Sequence, residues 1–261
     1  VFTSARVLAA EDALVTAAQS RGGLYVSRDA FMAGIAMVEE EKGRTLNAGQ
    51  RALAAHFAGS GRRLAAGIGP AGAGKTTAMS AFARAVELGG GRVLGLASQA
   101  TAAAVLGDEL GVSADTLHKL LWEHSHTPKE IMAEKFRIDA NTVLLVDEAG
   151  MTGTPQLAEL LHLAEKYGAN IRLLGDPSQL AAVGSGGVLR LIDRYVGAAQ
   201  LEEVHRFIHA DGSLNVEEAT ASLRLRDGDA RGLSFYIEDD RVRGGTREAM
   251  LEDLYTAWSA D

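Results

Sequence analysis

The sequence predicts an α/β protein built on a parallel sheet with helices on both faces. Two observations predict it. Short apolar runs at residues 64–68, 93–97, 142–146 and 171–174 alternate with helical stretches at about 75–88, 99–110, 155–167 and 186–195, which is the rhythm of a parallel sheet joined by crossover helices. Two polar stretches then fall where such runs end. Residues 69–77 read Gly-Pro-Ala-Gly-Ala-Gly-Lys-Thr-Thr, and the run at 142–146 is followed by Asp147 and Glu148. Parallel sheets bind ligands at the carboxyl ends of their strands, so sequence order and chemistry agree.

The bulk properties set limits. A chain of 261 residues can bury a full core, and 47% apolar with 23% charged residues is ordinary for a globular protein. No apolar run approaches the ~18 residues that a membrane span needs. The start, Val1-Phe2-Thr3-Ser4, lacks an initiator Met and a signal-peptide layout, and reads as an internal piece of a longer chain. The absence of cysteine excludes disulfides and thiolate metal sites and fits a cytoplasmic protein. A net charge of −8 argues against coating nucleic acid by charge alone, though not against a local groove. Arg224, Arg226, Arg231, Arg241, Arg243 and Arg247 concentrate late, but acids interleave with them as on a solvated surface.

The elements follow in order. Ser4 caps a helix to residue 19, with Val7, Leu8, Leu14 and Val15 mostly on one stripe, and Gly22-Gly23 breaks it. Ser27 caps a second helix over about 28–42, ending at Lys42-Gly43. A third runs from about Asn47 to Phe57 and stops at Gly59-Ser60-Gly61. Residues 1–45 thus read as a small N-terminal helical appendage, followed by a nucleotide-binding domain over 46–210 and a tail over 211–261. In the tail the pattern predicts a helix near 215–226, a turn at Asp227-Gly228-Asp229, a short hairpin around 234–244 and a helix from about Thr246 to Trp258.

Gly69, Gly74, Lys75 and Thr76 satisfy the phosphate-loop spacing G-x-x-x-x-G-K-[ST]. Gly69, Gly72 and Gly74 let backbone N–H groups converge on phosphate oxygens without side-chain clashes. The helix opening at Lys75 presents its positive dipole end, with Thr77 in the same first turn. Lys75 reaches the β- and γ-phosphates, and the Thr76 hydroxyl is a Mg²⁺ ligand. Asp147 holds the hydration shell of that Mg²⁺, and Glu148 orients and deprotonates the attacking water. This is the pattern of a P-loop NTPase.

Gly175-Asp176-Pro177-Ser178-Gln179-Leu180, together with Asp147-Glu148-Ala149-Gly150-Met151, closely resembles superfamily 1 DNA helicases of the RecD-like branch. The resemblance implies a RecA-like fold with ATP as nucleotide. It gives Gln179 the role of sensing the γ-phosphate, which suits a carboxamide that both donates and accepts. Leu46-Asn47-Ala48-Gly49-Gln50 resembles the Q motif, whose Gln reads adenine. Gln50 equally suits a capping box with Asn47. Ala97 to Ala103 resembles a segment that touches single-stranded DNA, making Ser98 and Thr101 candidates, although Ser98 replaces the usual Pro and the common basic residue is absent. Thr116 to Leu121 resembles the next DNA-facing segment, with Thr116 and His118 as candidates. Leu201 to Phe207 resembles motif IV, which points Arg206 at the γ-phosphate, with a salt bridge to a local acid as the other reading.

The helicase resemblance covers about residues 46–207. The opening stretch and Ala221 to Asp229 resemble the helicase part of conjugative relaxases of the TraI/TrwC (MobF) type. This implies an upstream relaxase domain, while the RecD-like superfamily 1 resemblance implies a 5′→3′ motor with a downstream second RecA-like domain, which the residues after Phe207 are too few to form. The relaxase's histidine-held metal has no counterpart here. His124 and His126 flank a serine in a polar loop, and His205 and His209 sit near Arg206, without a third ligand. Weak hydrolysis and no unwinding are expected of this chain alone. A recombination or repair helicase, a nucleotide-switched docking module and a small-molecule kinase are the rival readings. The last gives no reason for Glu148 or for residues 175–180.

Overall fold

Four of the six strands carry the apolar runs of the sequence, and all six pair in parallel. In the computed structural model they run β1 (Leu64–Ile68), β2 (Arg92–Ala97), β3 (Ser113–Thr116), β4 (Thr142–Val146), β5 (Asn170–Gly175) and β6 (Ala199–Gln200), in the order β3-β2-β4-β5-β1-β6. The structure describes residues 4–179, 187–204, 206–209, 211–242 and 244–260. Leu180, Gly186, His205 and Arg243, which the sequence reading uses, lie outside them.

Strand alternation divides the core between two faces. Leu64, Ala66, Leu94, Leu96, Leu144, Val146, Ile171 and Leu173 face one side. They pack there with α1 (Ala5–Gln19), α6 (Leu117–His126), α7 (Thr154–Tyr167) and α8 (Val188–Val196). Ala65, Val93, Val143, Leu145 and Leu174 face the other, against α3 (Ala48–Gly59), α4 (Lys75–Leu88) and α5 (Ala100–Leu110). The two opening helices therefore serve different faces: α1 packs on α7 and α8, and α2 (Arg28–Lys42) lies along α4.

Gly34 is why α2 can lie so close. A Cβ built there would stand 2.6 Å from the Ala85 nitrogen and 2.9 Å from the Ala81 oxygen, both backbone atoms of α4. Gly34→Ala adds about 1 kcal/mol of helix propensity. It also forces the helices apart, which costs about 1–3 kcal/mol. The variant is expected to unfold at a lower urea midpoint than the wild type, and an unchanged or higher midpoint would refute this packing.

Arg172, in the middle of β5, is fully buried on the α3 face. Its Nε donates to the Phe57 carbonyl at 2.9 Å, and its Nη1 to those of Ile171 at 2.9 Å and Arg62 at 3.2 Å. Burial pulls its pKa down to about 9, so it remains charged at neutral pH. Backbone dipoles, not a carboxylate, carry that charge. The result pins the last turn of α3 to the sheet, and α3 carries Gln50 at its other end.

Several segments differ from their reading in the sequence. Ser113–Thr116 forms an edge strand paired to β2 from Leu94↔Ser113 to Ala97↔Thr116. It has no apolar run, and none of its four residues is buried. The stretch with His124 and His126 is helix α6, not a loop. In the second compact unit, His205–Asp261, the expected hairpin is replaced by helix α10 (Gly232–Glu238), which packs on α9 (Val216–Arg226). Gly232 permits that contact, since a Cβ there would meet the Ala221 oxygen at 2.6 Å. Arg241 lies over the rings of Phe235 and Tyr236 at 5.2 and 5.1 Å and bonds Glu218 of α9. The final helix, α11 (Arg247–Ala260), exposes Met250, Leu251, Leu254, Tyr255 and Trp258.

Candidate nucleotide site

The loop after β1 turns sharply into α4. Gly69 N–H donates to the Gly175 carbonyl at 3.1 Å, tying the loop to the end of β5. Gly72 and Gly74 adopt φ of +76° and +80°. Gly74 is the N-cap of α4, and no side chain caps that helix. The first-turn amides of Lys75, Thr76 and Thr77 therefore have no acceptor from the helix itself. That is the arrangement that receives a phosphate.

Lys75 is buried, and its Nζ lies inside the loop. It donates to the Gly69 carbonyl at 2.8 Å and to that of Pro70 at 3.4 Å, and it stands 3.8 Å from a Glu148 carboxylate oxygen. The half-buried Thr76 follows it at the head of α4. Asp147 emerges from β4, its N–H bonded to the Leu96 carbonyl at 2.9 Å. Its Oδ1 accepts the Glu148 N–H at 2.9 Å. Glu148 has φ 48°, ψ 42°, a left-handed conformation costly for a side chain of its type. That strained turn aims its carboxylate at Lys75. Burial raises the proton affinity of both acids. Lys75 opposes the rise, and for Glu148 the charges of Asp147 and Asp176 add to it. An ammonium, a hydroxyl and two carboxylates whose charge burial disfavours form a donor set suited to a cation-bound polyphosphate.

Of the two roles the sequence left open for Gln50, the structure shows the capping box with Asn47, at 2.8 Å and 3.1 Å, and its Nε2 also donates to the Gly74 carbonyl at 3.5 Å. A Cβ at Gly74 would fall 2.1 Å from that Nε2, at a φ that resists side chains. Gly74→Ala is therefore expected to displace Gln50 and lower nucleotide affinity at least tenfold in a titration with a fluorescent nucleotide, while helix content stays unchanged. Wild-type affinity in that variant would show that the loop tolerates a different path.

Gln179 ends the turn after β5, with its N–H donating to the Asp176 carbonyl at 3.2 Å. Asp176 Oδ1 accepts the Ser178 N–H at 2.9 Å. Arg190 of α8 grips this turn through the Pro177 carbonyl. The sequence reading gave Arg190 no role, because nothing in its spacing links it to residue 177. Arg206 belongs to the second unit, exposed, with its guanidinium 4.6 Å from the ring centre of Phe207.

The four remaining candidates lie together. Ala97 pairs with Thr116 across β2 and β3, so the segments that begin at Ser98 and Thr116 leave adjacent strand ends. Ser98, Thr101 and His118 are exposed. The Thr116 hydroxyl caps α6 by accepting the Lys119 N–H at 3.1 Å, a role the sequence reading did not assign. Among the described residues, no cluster of three His, Cys, Asp or Glu could hold a metal ion, and no helix is long and apolar enough to cross a membrane.

A parallel sheet with a glycine loop after β1 opening one helix, and an acid pair at the end of β4, one strand beyond its neighbour β5, defines a P-loop NTPase domain. The chain belongs to the AAA domain family, whose model matches residues 45–247. It is similar to the conjugal transfer protein TraA of Rhizobium radiobacter, with 36% identity over 218 residues, 81% of this chain and 18% of that protein. It is also similar to the RecBCD enzyme subunit RecD of Mycolicibacterium smegmatis, 32% identical over 46% of this chain and 21% of that one. The ATP-dependent RecD2 DNA helicase of Deinococcus radiodurans is 32% identical over 56% of this chain and 20% of that one. The chain thus spans about a fifth of the length of these relatives, and they agree with the RecD-like resemblance read from its motifs.

Proposed function

We propose that this chain is the ATP-binding motor domain of a DNA helicase, coupling ATP hydrolysis to 5′→3′ movement on single-stranded DNA within a conjugative relaxase-helicase. The convergence of Lys75 and Glu148 at the phosphate loop is the observation that carries the reading. The similarity to TraA over most of the chain supports the conjugative setting.

In this reading Lys75 leaves the loop carbonyls to hold the β- and γ-phosphates, while the amides of Gly72 to Thr77 cradle their oxygens. Thr76 and Asp147 hold Mg²⁺, which would neutralise charge on the phosphate oxygens. Glu148 orients a water and takes its proton. Gln179 reports the γ-phosphate, and Arg206 offsets negative charge on it. Gln50 selects adenine. Ser98, Thr101, Thr116 and His118 contact the strand through its phosphates and bases. An upstream relaxase domain and a downstream second RecA-like domain complete the parent protein, which acts in the cytoplasm.

The test measures ATP turnover of the parent protein with and without single-stranded DNA, and unwinding of duplexes with 5′ or 3′ tails. Turnover is expected to rise at least tenfold with DNA, and only the 5′-tailed duplex should open. Nucleotide binding that ignores DNA would replace the motor with a nucleotide-switched docking module. The RecD-type relatives favour one variant of the reading, a recombination or repair helicase. A parent sequence without an upstream relaxase domain would select it.

A further inference from the structure

Helix α5 touches the candidate DNA face and the candidate nucleotide site at once. Its first turn carries Thr101. One side of the helix, from Thr101 through Ala102, Val105 and Leu106 to Glu109, borders a cleft of about 360 Å³ whose opposite wall is Asp147.

The last turn of α5 is joined to α4 by one hydroxyl. Ser80 Oγ lies 3.0 Å from the Thr76 carbonyl in its own helix and 3.2 Å from the Glu109 carbonyl in α5. Ser80 is 5% exposed. A serine hydroxyl has one proton, so these two acceptors compete for it. One acceptor belongs to the residue that offers its own hydroxyl to the nucleotide site. The other belongs to the helix whose far end faces DNA. A shift of α5 across its cleft therefore changes which carbonyl the hydroxyl serves, and with it the restraint on the first turn of α4.

Resting on the motor reading above, we propose that Ser80 is a positioning residue that couples single-stranded DNA at the head of α5 to the nucleotide site, with the cleft giving α5 room to move. Linkage makes the coupling reciprocal: DNA tightens nucleotide by the same factor as nucleotide tightens DNA. The device needs no contact between Ser80 and either ligand. Nothing in the sequence pattern separates Ser80 from any other buried helical serine.

The test is a thermodynamic cycle on the parent protein that carries this chain. The dissociation constant of a non-hydrolysable ATP analogue is measured with and without a saturating thymidine 15-mer, for the wild type, Ser80→Ala, Ser80→Thr and Val105→Phe. The wild type is expected to show a coupling factor of roughly tenfold. Ser80→Ala should bind each ligand alone within about twofold of the wild type, while the factor falls towards one. Ser80→Thr, which keeps the hydroxyl, should restore it. Val105→Phe, which narrows the cleft without touching the hydroxyl, should lower it independently, so a folding defect in one variant does not decide the question. Wild-type coupling in both Ser80→Ala and Val105→Phe would overturn the role of Ser80 and leave the motor reading standing. No coupling in the wild type itself would overturn both.

Discussion

Replacing Lys75 with alanine is expected to lower the nucleotide affinity of this chain by on the order of 100-fold, and to abolish turnover in the parent protein. The affinity figure follows from two charge-assisted contacts to phosphate at about 1.5–3 kcal/mol each, less what Lys75 gives up to make them. That deduction matters, because Lys75 is already engaged. Its Nζ holds the Gly69 and Pro70 carbonyls and lies near Glu148, so a phosphate must outbid existing partners. The same contacts predict a stability loss of about 1–3 kcal/mol in Lys75→Ala, since the two carbonyls are buried and lose their donor. Lys75→Arg should fail as well, because a planar guanidinium does not fit where a compact ammonium sits inside the loop. Titration with a fluorescent nucleotide, beside a thermal melt, checks both halves. Wild-type affinity in the alanine variant would remove the phosphate-binding role of the loop.

The fold was legible wherever a strand is buried on both sides. β1, β2, β4 and β5 each appear in the sequence as an apolar run within one residue of its observed ends, because both faces of each are covered. β3 was not legible, since Ser113-Ala114-Asp115-Thr116 carries no apolar pattern and is held by backbone pairing at the sheet edge. The helices were legible through their caps. Ser4, Ser27 and Asn47 each accept the N–H three residues on, as their positions promised. The expected hairpin after residue 233 failed because packing on α9, not local preference, decides that segment. At the site, candidate residues within local motifs at strand ends were legible, and Lys75 of one motif lies 3.8 Å from Glu148 of the other. Those that act through tertiary contact were not. Ser80 gains its second acceptor from a residue 29 positions away, and Arg190 reaches the turn before it across 13. Arg172 shows the same limit, since an arginine within an apolar strand gives no sign of the carbonyls that its Nε and Nη1 bond.

Glu148→Gln isolates the chemical step. The amide keeps the size of the carboxylate, so the left-handed turn at residue 148 and the bond from its N–H to Asp147 should survive. What is lost is the ability to take a proton. General-base catalysis contributes about 10²–10⁴-fold, and turnover by the parent protein is expected to fall by that much, with nucleotide affinity within a few-fold of the wild type. Affinity could rise, because removing one negative charge beside a polyphosphate relieves repulsion. Stability should not suffer either. Burial raises the proton affinity of Glu148 more than Lys75 lowers it, so at neutral pH the folded state carries that charge at a cost the neutral amide avoids. The opposite signature separates Glu148 from its neighbour. Asp147→Asn should weaken nucleotide binding in the presence of Mg²⁺ and change it little when EDTA is added, whereas Glu148→Gln, which keeps Thr76 and Asp147, should lose affinity on addition of EDTA as the wild type does. If Glu148→Gln turns over ATP at the wild-type rate, the base lies elsewhere, and the strained backbone at residue 148 serves some purpose other than hydrolysis.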